Sequence, residues 1–424
     1  MDDRTSPVES NDPTWWNSRR GTTNILNEGN TLHMIDSEPT DPWGVPRLEL
    51  FERLERSLEG DGERAVATVV GVDGSAYRRP GAKMLLGSDG STYGGITAGC
   101  LEGPLREVAG EVLADGSPTV VTFDLTDDDD GWGLGLGCEG VVDVLVEPVD
   151  DSWSDPVEAF GAGERRATVT VVDGTDSLPV GARTTVPAEG EPIDPDDRPA
   201  VPENVLEAVL ADARERAADG RWERRTVATD GGDVDLFVDG IEPVKRLLVF
   251  GGQPDVRPVT RLAREVGLEV TVATARGAQA DESSFPRADR VVATHPSDLG
   301  DLVDDRTFVV VMSHNLLDDR LALEALLSTP APFIGLMGPR ERFERLRDDL
   351  QEESVTLTDE DRDRIASPVG LDLGGGEPVE IALSIVSEVL AVSNDREGGR
   401  LRDRAGPIHE RSPSEPSEPS PPSD

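Results

Sequence analysis

RLLVFGGQPDVRPVTRLAREVGLEVTVATARG, residues 246–277, decides the fold of the carboxy-terminal part of this chain. An apolar run ends in two glycines, an amphipathic stretch follows, and a second apolar run begins after Gly267. Strands apolar on both faces must be covered on both faces, and a helix between two of them is the crossover that a parallel pair requires. The alternation continues through VVAT, TFVVVMSHN, a helix over DDRLALEALLS, and PFIGLMG. A last helix, EPVEIALSIVSEVLAVS, has Pro378 in its first turn and sets Ile381, Ile385, Val389 and Val392 on one face. Residues 244–393 are therefore expected to form a doubly wound parallel sheet.

Upstream the pattern is different. RLELFERLERSLEG, residues 47–60, places Leu48, Phe51, Leu54 and Leu58 on one helical face, and Gly60 ends the run. Short apolar runs follow at AVATVVGV, KMLLG, STYGG, TVVTFDL and VVDVLVEPV, with glycine-rich turns and a helix near 102–114. This describes an α+β domain over 46–150. Residues 151–243 carry a strand at RATVTVV, a Pro/Asp/Glu-rich loop, a helix over ENVLEAVLADARERAADG and strands ending at DLFVDGI; they are assigned to the first domain as an elaboration. Residues 1–45 and the Pro/Ser-rich acidic tail 394–424 show no periodic apolar face and are expected to be disordered. Nothing before Met34 looks structural, so a start there would remove no expected element.

The totals narrow the function. A chain of 424 residues allows two or three domains of about 100–200 residues. Its net charge of −44 repels nucleic acid and anionic membranes, which excludes both as expected partners. Only Lys83 and Lys245 are lysines among 41 cationic residues, and aspartate crowds the loops. That composition suits the cytoplasm of an extreme halophile, where molar salt screens self-repulsion. Two cysteines, Cys100 and Cys138, are too few for a disulfide scaffold and lack metal-finger spacing. No run approaches 18 apolar residues, and Arg19-Arg20 has no apolar core behind it, so a soluble cytoplasmic protein is expected.

Two glycine-dense stretches could carry chemistry: GSAYRRPGAKMLLGSDGSTYGGITAGCLEG (74–103) and GWGLGLGCEG (131–140). Glycine there permits positive φ and close backbone approach to an anion or a flat ring. Cys100 follows Gly95 and Gly99 at a turn entering a helix, a setting that favours the thiolate and hence a soft metal; a buried filler in a tight turn is the alternative, and likewise for Cys138. Arg78, Arg79 and Lys83 form a basic spot in an acidic domain, suited to a phosphate- or pterin-bearing anion or to salt bridges. In the second half, Gly251 and Gly252 occupy the first strand-to-helix turn, where a pyrophosphate would dock. Gln253 and Val256 break the dinucleotide fingerprint, and the second strand ends in Thr274 rather than an acid, so NAD(P) is not expected. His314 lies at the carboxyl edge of a buried strand as a ligand contact, an acid–base group or a structural histidine, and Arg340 and Arg342 follow another strand.

In order along the chain, GSAYRRPGAKMLL, GGITAGCLEG, GLGCEGVVDVLVEPV, LLVFGGQPDVRPVTRLA, FPRADRVV, VVVMSHN, FIGLMGPRER and PVGLDLGGGEPVEIALSIVSEVLA resemble the XdhC/CoxI molybdenum-cofactor chaperones from about 48 to 400. The resemblance implies an α/β protein, an N-terminal α+β domain followed by a Rossmann-like domain. It also implies a maturation factor rather than an enzyme. Such a factor would bind and protect molybdopterin, work with cofactor-synthesis or sulfurase proteins, and pass the cargo to an apo molybdenum hydroxylase of the xanthine dehydrogenase type; a homodimer is compatible with it. Cys100 matches the family cysteine linked to cofactor and metal binding, and Cys138 falls on a second. Gln253, Thr274, Ala98 and Glu139 depart from the family pattern. A nucleotide-dependent oxidoreductase using His314, or an adaptor that never holds cofactor, are the rival readings.

The charge reading has a direct check. Melting temperature should fall on transfer from multimolar KCl to dilute buffer, and an unchanged melt would refute salt adaptation.

Overall fold

The computed structural model describes residues 42–60, 62–125 and 140–404, and three sheets organise them. The first unit runs α1 (Arg47–Leu58), β1 (Arg64–Gly74), β2 (Lys83–Gly87), β3 (Thr92–Tyr93), α2 (Glu102–Asp115), β4 (Thr119–Asp124) and β5 (Gly140–Pro148). Its antiparallel sheet has the order β3-β2-β1-β5-β4. Leu105, Ala109 and Val112 of α2 pack on Ala67, Val69 and Val144, each fully buried aliphatic side chain adding roughly 1.5–3 kcal/mol.

Residues 154–241 then repeat that unit. They run α3 (Ser154–Ala162), β6 (Arg166–Asp173), β7 (Arg183–Pro187), α4 (Glu203–Leu206), α5 (Leu210–Asp219), β8 (Trp222–Thr229) and β9 (Gly232–Ile241). The order β7-β6-β9-β8 matches the first sheet without its short edge strand. The correspondence extends to register: Thr68 pairs with Lys83 as Thr170 pairs with Arg183, and Val66 pairs with Glu147 as Thr168 pairs with Asp239. Even the bulge recurs, between Val69 and Gly71 and between Val171 and Asp173. Gly81 and Gly181 take the same left-handed turn, with φ of 89° and 87°. Strand β7 lies where the sequence suggests only a loop. The helix expected over 203–220 breaks into two, because Ala208 and Val209 bond three residues back instead of four, which turns Val209 inward with Ala213.

The two sheets pack face to face through corresponding residues, Val70 with Val172 and Leu145 with Phe237 forming one buried cluster. Buried charge crosses the same interface in both directions. Lys83 of the first sheet pairs with Asp239 of the second, and Arg183 of the second pairs with Glu147 of the first.

The remaining residues form the expected doubly wound domain. β10 (Arg246–Phe250), α6 (Val256–Glu265), β11 (Glu269–Thr274), β12 (Arg290–Ala293), β13 (Thr307–Val311), α7 (Leu316–Leu327), β14 (Phe333–Leu336), α8 (Arg340–Glu352), α9 (Asp359–Arg364), β15 (Ile365–Ala366) and α10 (Pro378–Ser393) give a six-stranded sheet, β12-β11-β10-β13-β14-β15. Its strand pairs are parallel, and the order reverses between β10 and β13. α6 and α10 cover one face, and α7 and α8 the other. Residues 394–404, expected to belong to a disordered tail, include a 3-10 turn at Leu401–Asp403. Among the described residues, no helix is long and apolar enough to cross a membrane.

Removing one partner of a buried pair strands the other charge. Asp239→Ala should cost about 3–5 kcal/mol in denaturant unfolding at high salt, whereas Lys83→Met with Asp239→Leu should recover most of the loss. Equal stability of Asp239→Ala and the parent would show that the pair does not hold the sheets.

Candidate functional site

The turn into α2 is built by a clamp. The Gly94 N–H donates to the Pro42 carbonyl at 2.8 Å, and the Trp43 indole N–H donates to the Thr97 carbonyl at 3.2 Å. From the other side the Arg78 guanidinium donates to the Gly95 carbonyl at 3.0 Å. Gly95 has to lack a side chain, since a Cβ there would lie 2.3 Å from the Trp43 ring nitrogen. The Thr97 hydroxyl then accepts from the Leu101 N–H, Gly99 takes a φ of 109°, and the chain enters the helix. Trp43 belongs to the stretch expected to lack structure, yet it anchors this turn.

Cys100 therefore stands one residue before the α2 N-cap, half-buried, unpaired, and packed at the edge of the core under β1 and β5. Beside it is a group that sequence reasoning misses. Both carboxylate oxygens of Glu102 are shut off from solvent and, among the described residues, have no hydrogen-bond partner, and one lies 4.0 Å from where a Gly99 Cβ would sit. A carboxylate in that state is costly unless a donor arrives. Cys138 lies outside the described residues. Among the described residues no three His, Cys, Asp or Glu side chains cluster as a metal site.

The basic spot divides. Arg78 and Arg79 line a cleft of about 490 Å³ at the junction of the two repeats. Lys83 is at its floor, buried, bonded to Asp239 and donating to the Gly81 carbonyl at 3.1 Å. Burial lowers the Lys83 pKa, and the Asp239 carboxylate only partly opposes that shift. Its charge is thus committed within the protein rather than offered to a ligand.

Gly251, Gly252 and His314 meet elsewhere, in a cavity of about 230 Å³ at the carboxyl ends of β10, β11 and β13, where the strand order reverses. Gly251 admits the Met312 carbonyl at 2.7 Å from its absent Cβ; at Gly252 the Gln279 and Thr274 side chains come within 2.5 and 2.9 Å. The Thr274 hydroxyl bonds Gln279 at 3.1 Å, so an amide occupies the region where a ribose-binding acid would act. His314 has a φ of 59° and its Nε2 is 2.6 Å from Asp255, a strained backbone held by an ion-pair-type contact. Arg276 is tied to Asp318 at 2.8 Å, and Arg342 to the buried Asp319. Arg340 opens α8 as its first residue.

A family model described as the XdhC and CoxI family matches residues 58–124, and one described as the XdhC Rossmann domain matches 247–389. A Bacillus subtilis (strain 168) protein, named as a probable xanthine dehydrogenase component, is 30% identical over 351 residues, spanning 80% of this chain and 95% of that one. The chain belongs to the XdhC and CoxI family. A crystal structure described as a xanthine dehydrogenase from Bacillus halodurans agrees, at 30% identity and a TM-score of 0.66 over 83% of this chain and 97% of its own. The first matched segment of this XdhC-family chain contains Cys100, Glu102, Arg78, Arg79 and Lys83, and the second contains Gly251, Gly252 and His314. The residues at α2 fit molybdopterin chemically: a thiol suits molybdenum, and a donorless carboxylate suits the N–H edge of a pterin. The signal for Glu102 in the sequence is only its place in GCLEG, indistinguishable from an ordinary acid in a helix's first turn.

The clamp is testable. Gly95→Ala should destabilise the protein by about 1–3 kcal/mol, and Trp43→Ala in the same chain should relieve most of it. Unfolding of Gly95→Ala at the parental midpoint would place the indole elsewhere.

Proposed function

We propose that this chain is a maturation factor for a molybdenum hydroxylase of the xanthine dehydrogenase type, holding the molybdenum cofactor as cargo and releasing it to the apo-enzyme. Family membership and the xanthine dehydrogenase names of its relatives support the hydroxylase as client. The observation that carries the cargo reading is the half-buried Cys100 thiol beside the partnerless Glu102 carboxylate at one helix start. Bound cargo would supply the client's redox centre. On this chain Cys100 would hold the metal side, and Glu102 would accept the pterin's N–H groups in exchange for its own desolvation. Cargo-free adaptation between a sulfurase and the hydroxylase would need neither group.

The test is the full chain isolated in high salt from a molybdate-fed host, with bound molybdenum and pterin fluorescence measured. Cys100→Ala should lose molybdenum, and Glu102→Ala should bind cofactor about ten- to a hundredfold more weakly, the loss of charge-assisted hydrogen bonds. Equal loading in both variants and the parent would remove this site from the reading. Hydroxylase maturing normally through a chain that never carries pterin would leave only the adaptor.

A further inference from the structure

The internal repeat gives the fold two corresponding positions for a cleft, and only one of them is open. Around Gly181 the space is filled: Pro118, which precedes β4, lies 2.4 Å from the position of a Cβ there. The hairpin of that repeat reads Ser177-Leu178-Pro179-Val180, carries no charge, and buries Leu178. Around Gly81 the residue corresponding to Pro118 is Trp222, which faces Asp239 across the β8–β9 ladder. The nearest atom to a Gly81 Cβ position is an Asp239 carboxylate oxygen at 3.0 Å, and beyond it opens the 490 Å³ cleft. Here the hairpin reads Tyr77-Arg78-Arg79-Pro80, and Arg47 of α1 lines the same cleft.

A chain of net charge −44 that gathers three guanidinium groups on one concavity has a local field suited to an anion, whereas at the corresponding place in its own repeat the Arg198 guanidinium that donates to the Gly181 carbonyl is paired with Glu147 and Asp150. Its aromatic walls specify more than charge. Trp222 is held against Phe237 at 6.1 Å between ring centroids, and Tyr77 against Trp43 at 5.8 Å. The volume suits a ligand of one fused ring system with a short charged side chain.

We infer that this cleft binds a phosphorylated aromatic heterocycle, its phosphate received by Arg78, Arg79 and Arg47 and its ring laid against Trp222. Lys83 takes no part in the contact, being neutralised by Asp239 beneath. The inference deepens the cargo reading, on which its choice of a pterin rests, by giving the phosphate a place. Arg78 joins the two regions, since one of its N–H groups holds the Gly95 carbonyl in the Cys100 turn while the side chain lines the cleft. A guanidinium has five N–H donors, so that bond leaves donors for a phosphate.

The experiment titrates the full chain in high salt with a fluorescent 6-substituted pterin bearing a side-chain phosphate, and with the same pterin lacking it. The phosphorylated probe should bind about ten- to a hundredfold more tightly. Arg78→Gln and Arg79→Gln should each reduce that preference and together abolish it, with cooperative unfolding retained in both and Arg79→Gln, outside the clamp, melting near the parent. Pro179→Ala, in the filled repeat, should leave the preference intact. Equal affinity for both probes, or a preference that survives the double Arg variant, overturns the inference. Inorganic phosphate displacing the probe at the probe's own affinity would overturn the ring contact. The two readings fail separately: Cys100-dependent molybdenum loading without Arg dependence sinks the cleft alone, and Arg-dependent phosphate preference without any bound molybdenum sinks the carrier alone.

Discussion

Trp153 is buried between two cations, with the Lys83 ammonium 5.8 Å and the Arg183 guanidinium 4.5 Å from its ring centroid. Neither charge could stay there alone, since an unpaired buried ion costs several kcal/mol. Each carboxylate that neutralises them comes from the opposite sheet: Asp239 from β9 for Lys83, Glu147 from β5 for Arg183. Slipping one sheet against the other would break both pairs at once. The aliphatic contact between the sheets, centred on Val70, Leu145, Val172 and Phe237, has no such specificity, because apolar side chains of similar size tolerate rearrangement. Charge therefore sets where the sheets meet, and the cleft, whose floor is the Lys83–Asp239 pair, inherits its shape from that setting.

The fold is most legible where burial is two-sided. After their first residue β10 and β13 are uninterrupted apolar runs, and no other element accommodates them between helices. The repeat is illegible for the opposite reason. Its two copies keep backbone features, the Gly81 and Gly181 turns and the bulges after Val69 and Val171, while side chains on the same positions differ to suit different neighbours. β7 is hidden in this way: RTTVP is buried throughout, but three of its five residues are polar, and the partners of Arg183 and Thr184 lie on β6, on β5 of the other sheet and in a loop beyond residue 190.

Local and distant information separate in the same manner at the site. Cys100 can be singled out because its glycine-rich turn is written within a dozen residues. Lys83 groups with Arg78 and Arg79 in the sequence because they are neighbours there; the group that claims it, Asp239, is 156 residues away. Glu102 has no signal of its own, since what distinguishes it is that no donor among the described residues reaches it in three dimensions. Trp43 escapes notice because an isolated indole has no periodicity, and its role depends on a glycine 52 positions later that leaves room for it.

α1 is the element common to both halves. Its first residue, Arg47, walls the cleft, and Leu50 and Phe51 line the same space. One position further, Glu52 bonds Arg264 of α6 at 2.8 Å, and Pro46, just before the helix, lies 3.2 Å from where a Cβ on Gly267 would sit. The Rossmann-like domain thus rests on the back of the helix whose other side shapes the cleft. Two further ties, Lys245 to the Ser393 carbonyl and Arg306 to the Val244 carbonyl, fix the short connection after β9. A broken fingerprint at Gln253 and Thr274 does not make this domain idle, because it packs against α1, the helix that brings Arg47 to the cleft. The doubly wound sheet can serve the amino-terminal cleft as a buttress whatever its own cavity binds.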